Sequence, residues 1–205
     1  MRRNLVGLVA GLALAALTAL PAMAQETATP MYKAPYRGFT NYEFGGDLSF
    51  PDGTDFALEG FYQFANGPHD FGLRAGVLKC GDGCTQFNVG GNFRTRVLRA
   101  SQQFPLDGAL TVGFGGRFGE GQTNFIVPVG VSLGRQLRLE NSTVRFTPFI
   151  HPVIAPVFGD GEDDVDFGVG LGVDIMFSRY LTARVSGGIG DNILQGIGIG
   201  LAFTR

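Results

Sequence analysis

Residues 165–177 read VDFGVGLGVDIMF. Val165, Phe167, Val169, Leu171, Val173, Ile175 and Phe177 take every second place, and Asp166, Gly168, Gly170, Gly172, Asp174 and Met176 fall between them. A period of two sorts side chains onto the two faces of a β-strand. One face here is large and apolar, and the other is mostly glycine and aspartate. A face turned to bulk water would carry Thr, Lys, Glu and Ser, because glycine weakens a strand and packs nothing there. Inside a narrow closed barrel, glycine makes room and eases curvature. The apolar face then points outward into lipid, and the glycines are expected to leave space for arginine side chains from other strands.

The same alternation runs through most of the chain. Tyr42, Phe44, Leu48 and Phe50 oppose Glu43, Asp47 and Ser49, and Phe56, Leu58, Tyr62 and Phe64 oppose Asp55, Glu59 and Gln63. Phe71, Leu73, Ala75 and Val77 oppose Gly72, Arg74 and Gly76, and Phe87, Val89, Phe93 and Val97 oppose Asn88, Asn92, Arg94 and Arg96. Further strands are centred on 110–118, 125–133, 144–157, 181–189 and 197–203. Turn signals separate them: PDG at 51–53, NGP at 66–68, CGDGC at 80–84, GEG at 119–121, GDGEDD at 159–164 and GDN at 190–192. The expectation is therefore an all-β chain of about ten strands, each close to the roughly 9–11 residues that cross a bilayer at a tilt. Ten is even, so the first and last strands end on one side, as in an up-and-down antiparallel barrel.

Charge follows the glycine parity. Glu43, Asp47, Asp55, Glu59, Asp166 and Asp174 lie on it, as do Arg74, Arg94, Arg96, Arg117, Arg145 and Arg184. Acids and bases in balance suit a closed interior, where buried charges must pair. The predicted lumen network is Glu43, Asp47, Glu59, Arg74, Arg94, Arg96, Arg117, Arg145, Asp174 and Arg184.

The first 24 residues read as a cleaved signal peptide. Arg2 and Arg3 precede an apolar run from Leu5 to Leu20, Pro21 ends it, and Ala22-Met23-Ala24 is an A-x-A site. Residues 25–37, QETATPMYKAPYR, show no period and read as a flexible lead. The barrel then covers 38–205. The whole chain holds 205 residues with 33 Gly, 19 Phe, no Trp and a net charge of −2, and its basic residues are scattered, so nothing suggests a nucleic-acid surface.

Three stretches resemble a known family. FGVGLGVDIMFSRYLTARVSGGIGD at 167–191 looks like the penultimate hairpin of small bacterial outer-membrane β-barrel proteins. VPVGVSLGRQL at 127–137 and TPFIHPVIAPVF at 147–158 are similar to the strands before it. The resemblance implies a place in the Gram-negative outer membrane after export through the periplasm. Its roles range from adhesion to small pores, and eight strands are the alternative count. The partners it implies are outer-membrane lipid, lipopolysaccharide and the assembly machinery, with no nucleic acid; a monomer is expected.

Candidate chemistry is sparse. Cys80 and Cys84 flank Gly-Asp-Gly, and in an oxidising compartment they are expected to form a disulfide across a hairpin tip. Two thiols without a nearby histidine make only half a zinc site. The acidic run Asp160, Glu162, Asp163, Asp164 and Asp166 lacks calcium-loop spacing and reads as a solvated loop. His69 reads as a turn residue and His151 as a lone lumen histidine, with no serine two places away on its face. No cofactor, metal or catalytic role is expected. The expected function is a barrel with a narrow, charge-filled lumen, structural or porin-like. The alternatives are a narrow channel for small solutes, lateral passage of apolar molecules, and, behind these, a secreted soluble β-barrel binding a small ligand. Lateral passage is suggested by Pro148, Pro152 and Pro156, which share one parity and withdraw donors from a single seam. A blander expectation for that seam is a strand end lying beyond the membrane.

Overall fold

The computed structural model describes residues 27–81, 83–119, 122–160, 163–191 and 194–205. The expected signal peptide lies outside them. The described residues form a closed antiparallel barrel of ten staves and no helix. The strands are β1 (Tyr42–Pro51), β2 (Phe56–Asn66), β3 (His69–Lys79), β4 (Thr85–Leu98), β5 (Asp107–Gly119), β6 (Gln122–Ile126), β7 (Val129–Gly134), β8 (Leu137–Arg138), β9 (Arg145–Gly159), β10 (Asp164–Met176), β11 (Leu181–Gly190) and β12 (Gly196–Thr204). β6, β7 and β8 are pieces of one stave, with β6 and β7 both laid between β5 and β9. β12 returns to pair with β1, from Glu43↔Thr204 to Pro51↔Gly196, and closes the cylinder.

β1 begins and β12 ends at one opening, here the proximal mouth; the opposite opening is the distal mouth. The turn after β2 needs only Gly67 and Pro68, and Gly67 takes a φ of 60°, which glycine adopts without strain. The turn after β3, at the distal mouth, carries the Cys80–Cys84 disulfide.

The faces are inverted relative to a soluble barrel. Glu43 and His151 are fully buried while Leu171 is 52% and Ile189 69% exposed. Aromatic rings crowd the outer surface toward the proximal mouth: Tyr42 stacks on Tyr62, Phe64 on Phe71 and Phe44 on Phe203, at 5.4–5.9 Å. Phe114, Phe118 and Phe125 cluster toward the distal side. Apolar bands bordered by aromatic girdles are what a bilayer selects on a barrel's outer wall.

The ladder is uneven around β9. Its register with β10 is unbroken from Asp164↔Val157 to Met176↔Arg145. On the other side β6 pairs at 124–126 and β7 at 129, 130, 133 and 134, with gaps opposite Pro156 and Pro152. Val127 N–H donates to Pro156 O and Arg135 N–H to Pro148 O, so these prolines face the β6–β7 stave. Proline returns no N–H, and the bridges fail there. The gap at Pro152 sits in the middle of β9, so the expectation of a strand end beyond the membrane is corrected.

Candidate functional site

The interior is the candidate site, and it is occupied by the chain itself. Thr27 to Pro30, Met31, Tyr32, Ala34 and Phe39 are buried, although residues 31–41 precede β1 and form no strand. A buried segment without secondary structure must place its backbone polar groups on other partners, and here wall side chains supply them. Ser186 Oγ on β11 donates to Pro30 O at 2.7 Å and accepts from Tyr32 N–H at 3.1 Å. Ser132 Oγ on β7 donates to Lys33 O at 2.6 Å, and Arg94 Nη1 on β4 donates to Ala34 O at 2.6 Å. Arg117 on β5 reaches Ala28 O and Thr27 O. Contacts from staves all around the cylinder place this plug inside it. The expectation of a flexible lead over 25–37 is corrected for residues 27–37.

The plug runs the length of the bore. Arg37 anchors it at the proximal mouth, donating to Gly67 O (2.8 Å), His69 O (3.2 Å) and Asp70 Oδ1 (2.6 Å). Thr29 Oγ1, further in, donates to Glu59 Oε2 at 2.7 Å. Tyr32 lies against the apolar side of the bore, where Phe149, Val153 and Ala155 of β9 meet Leu194, and its hydroxyl donates to Leu194 O at 2.7 Å. The glycine face of β10 accommodates this apolar cluster rather than arginines. A methyl built on Gly170 would overlap the Tyr32 ring, one on Gly168 would press on Leu194, and one on Gly172 would strike Phe149. On β12, Gly198 is matched in the same way to Met31.

The charged side of the bore holds most of the predicted network. Arg74 bridges Asp47 at 2.8 Å and Glu59 at 3.0 Å. Asn88 Nδ2 donates to the other Glu59 oxygen at 3.0 Å. Arg184 donates to both oxygens of Glu43, at 2.7 and 2.8 Å, and lies 3.6 Å from Asp174. Phe61 sits between these clusters, its ring 5.7 Å from the Arg74 guanidinium and 5.3 Å from that of Arg184. Four predicted members stand elsewhere, the first being Arg117 on the plug carbonyls of Thr27 and Ala28. Arg94 pairs with Asp70 at 2.8 Å, a residue hidden from sequence reasoning by its place beside a turn. Arg96 stacks on Tyr36 of the plug at 4.7 Å. Arg145 opens β9 at the proximal rim, in register with Met176. Asp55, also placed on this parity, is exposed at a distal turn, where it accepts from Gly81 N–H.

His151 is engaged on both ring nitrogens. Lys33 N–H donates to Nδ1 at 3.4 Å, which leaves the proton on Nε2, 3.0 Å from Thr111 Oγ1. Thr111 in turn donates to Gly130 O at 3.0 Å.

The sequence matches the outer membrane protein beta-barrel domain over residues 10–196. The chain belongs to that family. Among solved structures, the β domain of the Bordetella autotransporter BrkA is 14% identical, aligned over 82% of this chain and 77% of its own, with a TM-score of 0.47. LpxR from Salmonella typhimurium is 8% identical over 90% and 80%, with a TM-score of 0.43. A loop-deletion mutant of OmpT, an outer membrane protein of Vibrio cholerae, is 14% identical over 84% and 60%, with a TM-score of 0.34. No curated protein matches the chain.

This outer-membrane barrel is electrically polarised. Arg99, Arg135, Arg138, Arg145, Arg179 and Arg205 ring the proximal mouth and outnumber Asp107 and Glu140 there. Asp52, Asp55, Asp160, Asp163, Asp164 and Asp191 ring the distal one. His69 opens β3 at the basic end, its Nδ1 2.9 Å from Thr95 Oγ1.

Proposed function

We propose that this chain is a sealed outer-membrane barrel with a structural, non-catalytic role, delivered through the periplasm after cleavage behind Ala24. One observation carries the reading: the segment from Thr27 to Phe39 fills the bore, and its backbone is tied to five different staves. A conducting pore needs a continuous water path, and the ion pairs, apolar cluster and peptide inside the bore support a seal. The engaged His151 has no free nitrogen to act as a base, which supports a non-catalytic role. The expected surroundings are outer-membrane lipid and lipopolysaccharide, with insertion by the assembly machinery as a monomer.

Planar-bilayer recording tests the seal, with a heat-modifiability gel as the control for folding. The processed protein should be silent, and a variant lacking residues 27–38 should conduct. Large, steady conductance from the unaltered protein would instead favour a narrow channel for small solutes. Sequencing of the processed protein should begin at Gln25. The interrupted pairing at Pro152 favours one second reading, lateral passage of an apolar molecule between the β6–β7 stave and β9.

A further inference from the structure

At the proximal mouth a cavity of about 360 Å³ lies between the plug and the wall. Four arginines line it, Arg37, Arg94, Arg96 and Arg99, against the single carboxylate of Asp70. That carboxylate is already committed, with Oδ1 held by Arg37 and Oδ2 by Arg94. Arg94 is 4% exposed, and its Nη2 is buried without a hydrogen-bond partner. A buried guanidinium nitrogen left unpaired is costly, and the cost is removed by an acceptor. The Arg96 guanidinium lies over the Tyr36 ring, 4.7 Å from its centroid, and a guanidinium stacked on a ring face keeps its N–H groups for an acceptor at its edge. Arg99 is exposed at the rim.

We propose that this cavity binds a phosphoryl oxyanion. Guanidinium forks recognise carboxylate and phosphate alike. Donors converging from several directions are better matched by a tetrahedral group with three acceptor oxygens than by a planar one with two. The surrounding basic rim raises the local concentration of such an anion. Arg37 belongs to the plug, whereas Arg94, Arg96 and Arg99 belong to the wall and its rim. A bound phosphoryl group therefore bridges the two and holds the plug in place. The group is either a free phosphate or the headgroup of a phospholipid at the membrane edge. The inference is independent of whether the barrel conducts.

The test is calorimetric titration of the processed, refolded barrel in zwitterionic detergent with inorganic pyrophosphate, against chloride at matched ionic strength. Saturable binding at one site is expected. Arg96→Gln combined with Arg99→Gln should weaken it more than about tenfold, as expected for losing two charge-assisted hydrogen bonds. These positions lie outside the buried ion pairs, and a heat-modifiability gel verifies that the double variant is folded. Hydrogen exchange at residues 33–38 should slow when pyrophosphate is present. Displacement of pyrophosphate by phosphatidylglycerol in mixed micelles, but not by phosphatidylcholine, would assign the site to a lipid headgroup. Failure of phosphatidylglycerol to compete would assign it to a soluble phosphate. Three results would overturn the proposal: no saturable binding at matched ionic strength, an unchanged affinity in the folded double variant, or citrate binding as tightly as pyrophosphate.

Discussion

Gly170 and Leu171 are neighbours in β10 that face opposite surroundings. Leu171 points to lipid, and replacing it with arginine should cost about 2–4 kcal/mol, as for a cation near the bilayer midplane. Urea unfolding in detergent or lipid measures this, and an unchanged unfolding free energy would contradict the outward assignment. Gly170 points inward, where the sequence reading expects glycine to leave space for arginine side chains from other strands. The structure reverses that expectation, because Tyr32 occupies the space a side chain would need. Gly170→Ser should therefore destabilise by about 1–3 kcal/mol through overpacking. Adding Tyr32→Ala should restore part of the loss, and strictly additive effects of the two changes would contradict the contact. Alternation in the sequence revealed which way each residue points, but not what it meets. Tyr32 lies more than a hundred positions away in a stretch with no period.

At the scale of elements, all ten staves were legible from a period of two, least cleanly over 144–157, where prolines interrupt it. The prolines of β9 were legible in the same way, and their shared parity does thin a single seam. The register with β6 and β7 stays constant across the gaps, and the bridges drop out in pairs that each include a proline, Ala155 with Pro156 and His151 with Pro152. Amides at 127–135 should exchange faster than those at 165–175, which lie across the intact β9–β10 ladder. Uniform, slow exchange on both flanks of β9 would count against a weak seam. The plug was not legible as an element. TATPMYKAPYR is proline-broken and places most of its hydrogen bonds on the wall around it. One indirect signal was available: the inward glycines of β10 and β12 leave more room than the predicted arginines need.

At the scale of the molecule, the bore combines buried ion pairs with a threaded peptide. Breaking a buried pair on one side leaves a desolvated charge. Arg74→Ala, which removes the cation shared by Asp47 and Glu59 and leaves Glu59 only its Thr29 and Asn88 donors, should cost about 3–5 kcal/mol in unfolding free energy. Arg117 acts differently, since it holds the carbonyls of Thr27 and Ala28 near the distal mouth. Arg117→Ala should leave the barrel folded and release the plug tip, so that bilayer recordings show intermittent openings absent from the unaltered protein. Silence from a folded Arg117→Ala barrel would mean that the remaining anchors suffice.

The plug precedes β1, yet the cylinder is completed only when β12 meets β1, the first and last staves of the chain. Tyr32, deep in the bore, is too bulky to be drawn into one already packed with paired side chains. The segment must therefore be in position before the final seam zips. It serves as a mandrel, the rod on which a tube is wound. Joining chain ends so far apart in sequence is slow on entropic grounds. A bound rod that gathers β4, β5, β7, β9 and β11 around itself shortens that search. Removing it should slow closure of the barrel more than it loosens the finished wall, a difference that refolding kinetics can separate from equilibrium stability.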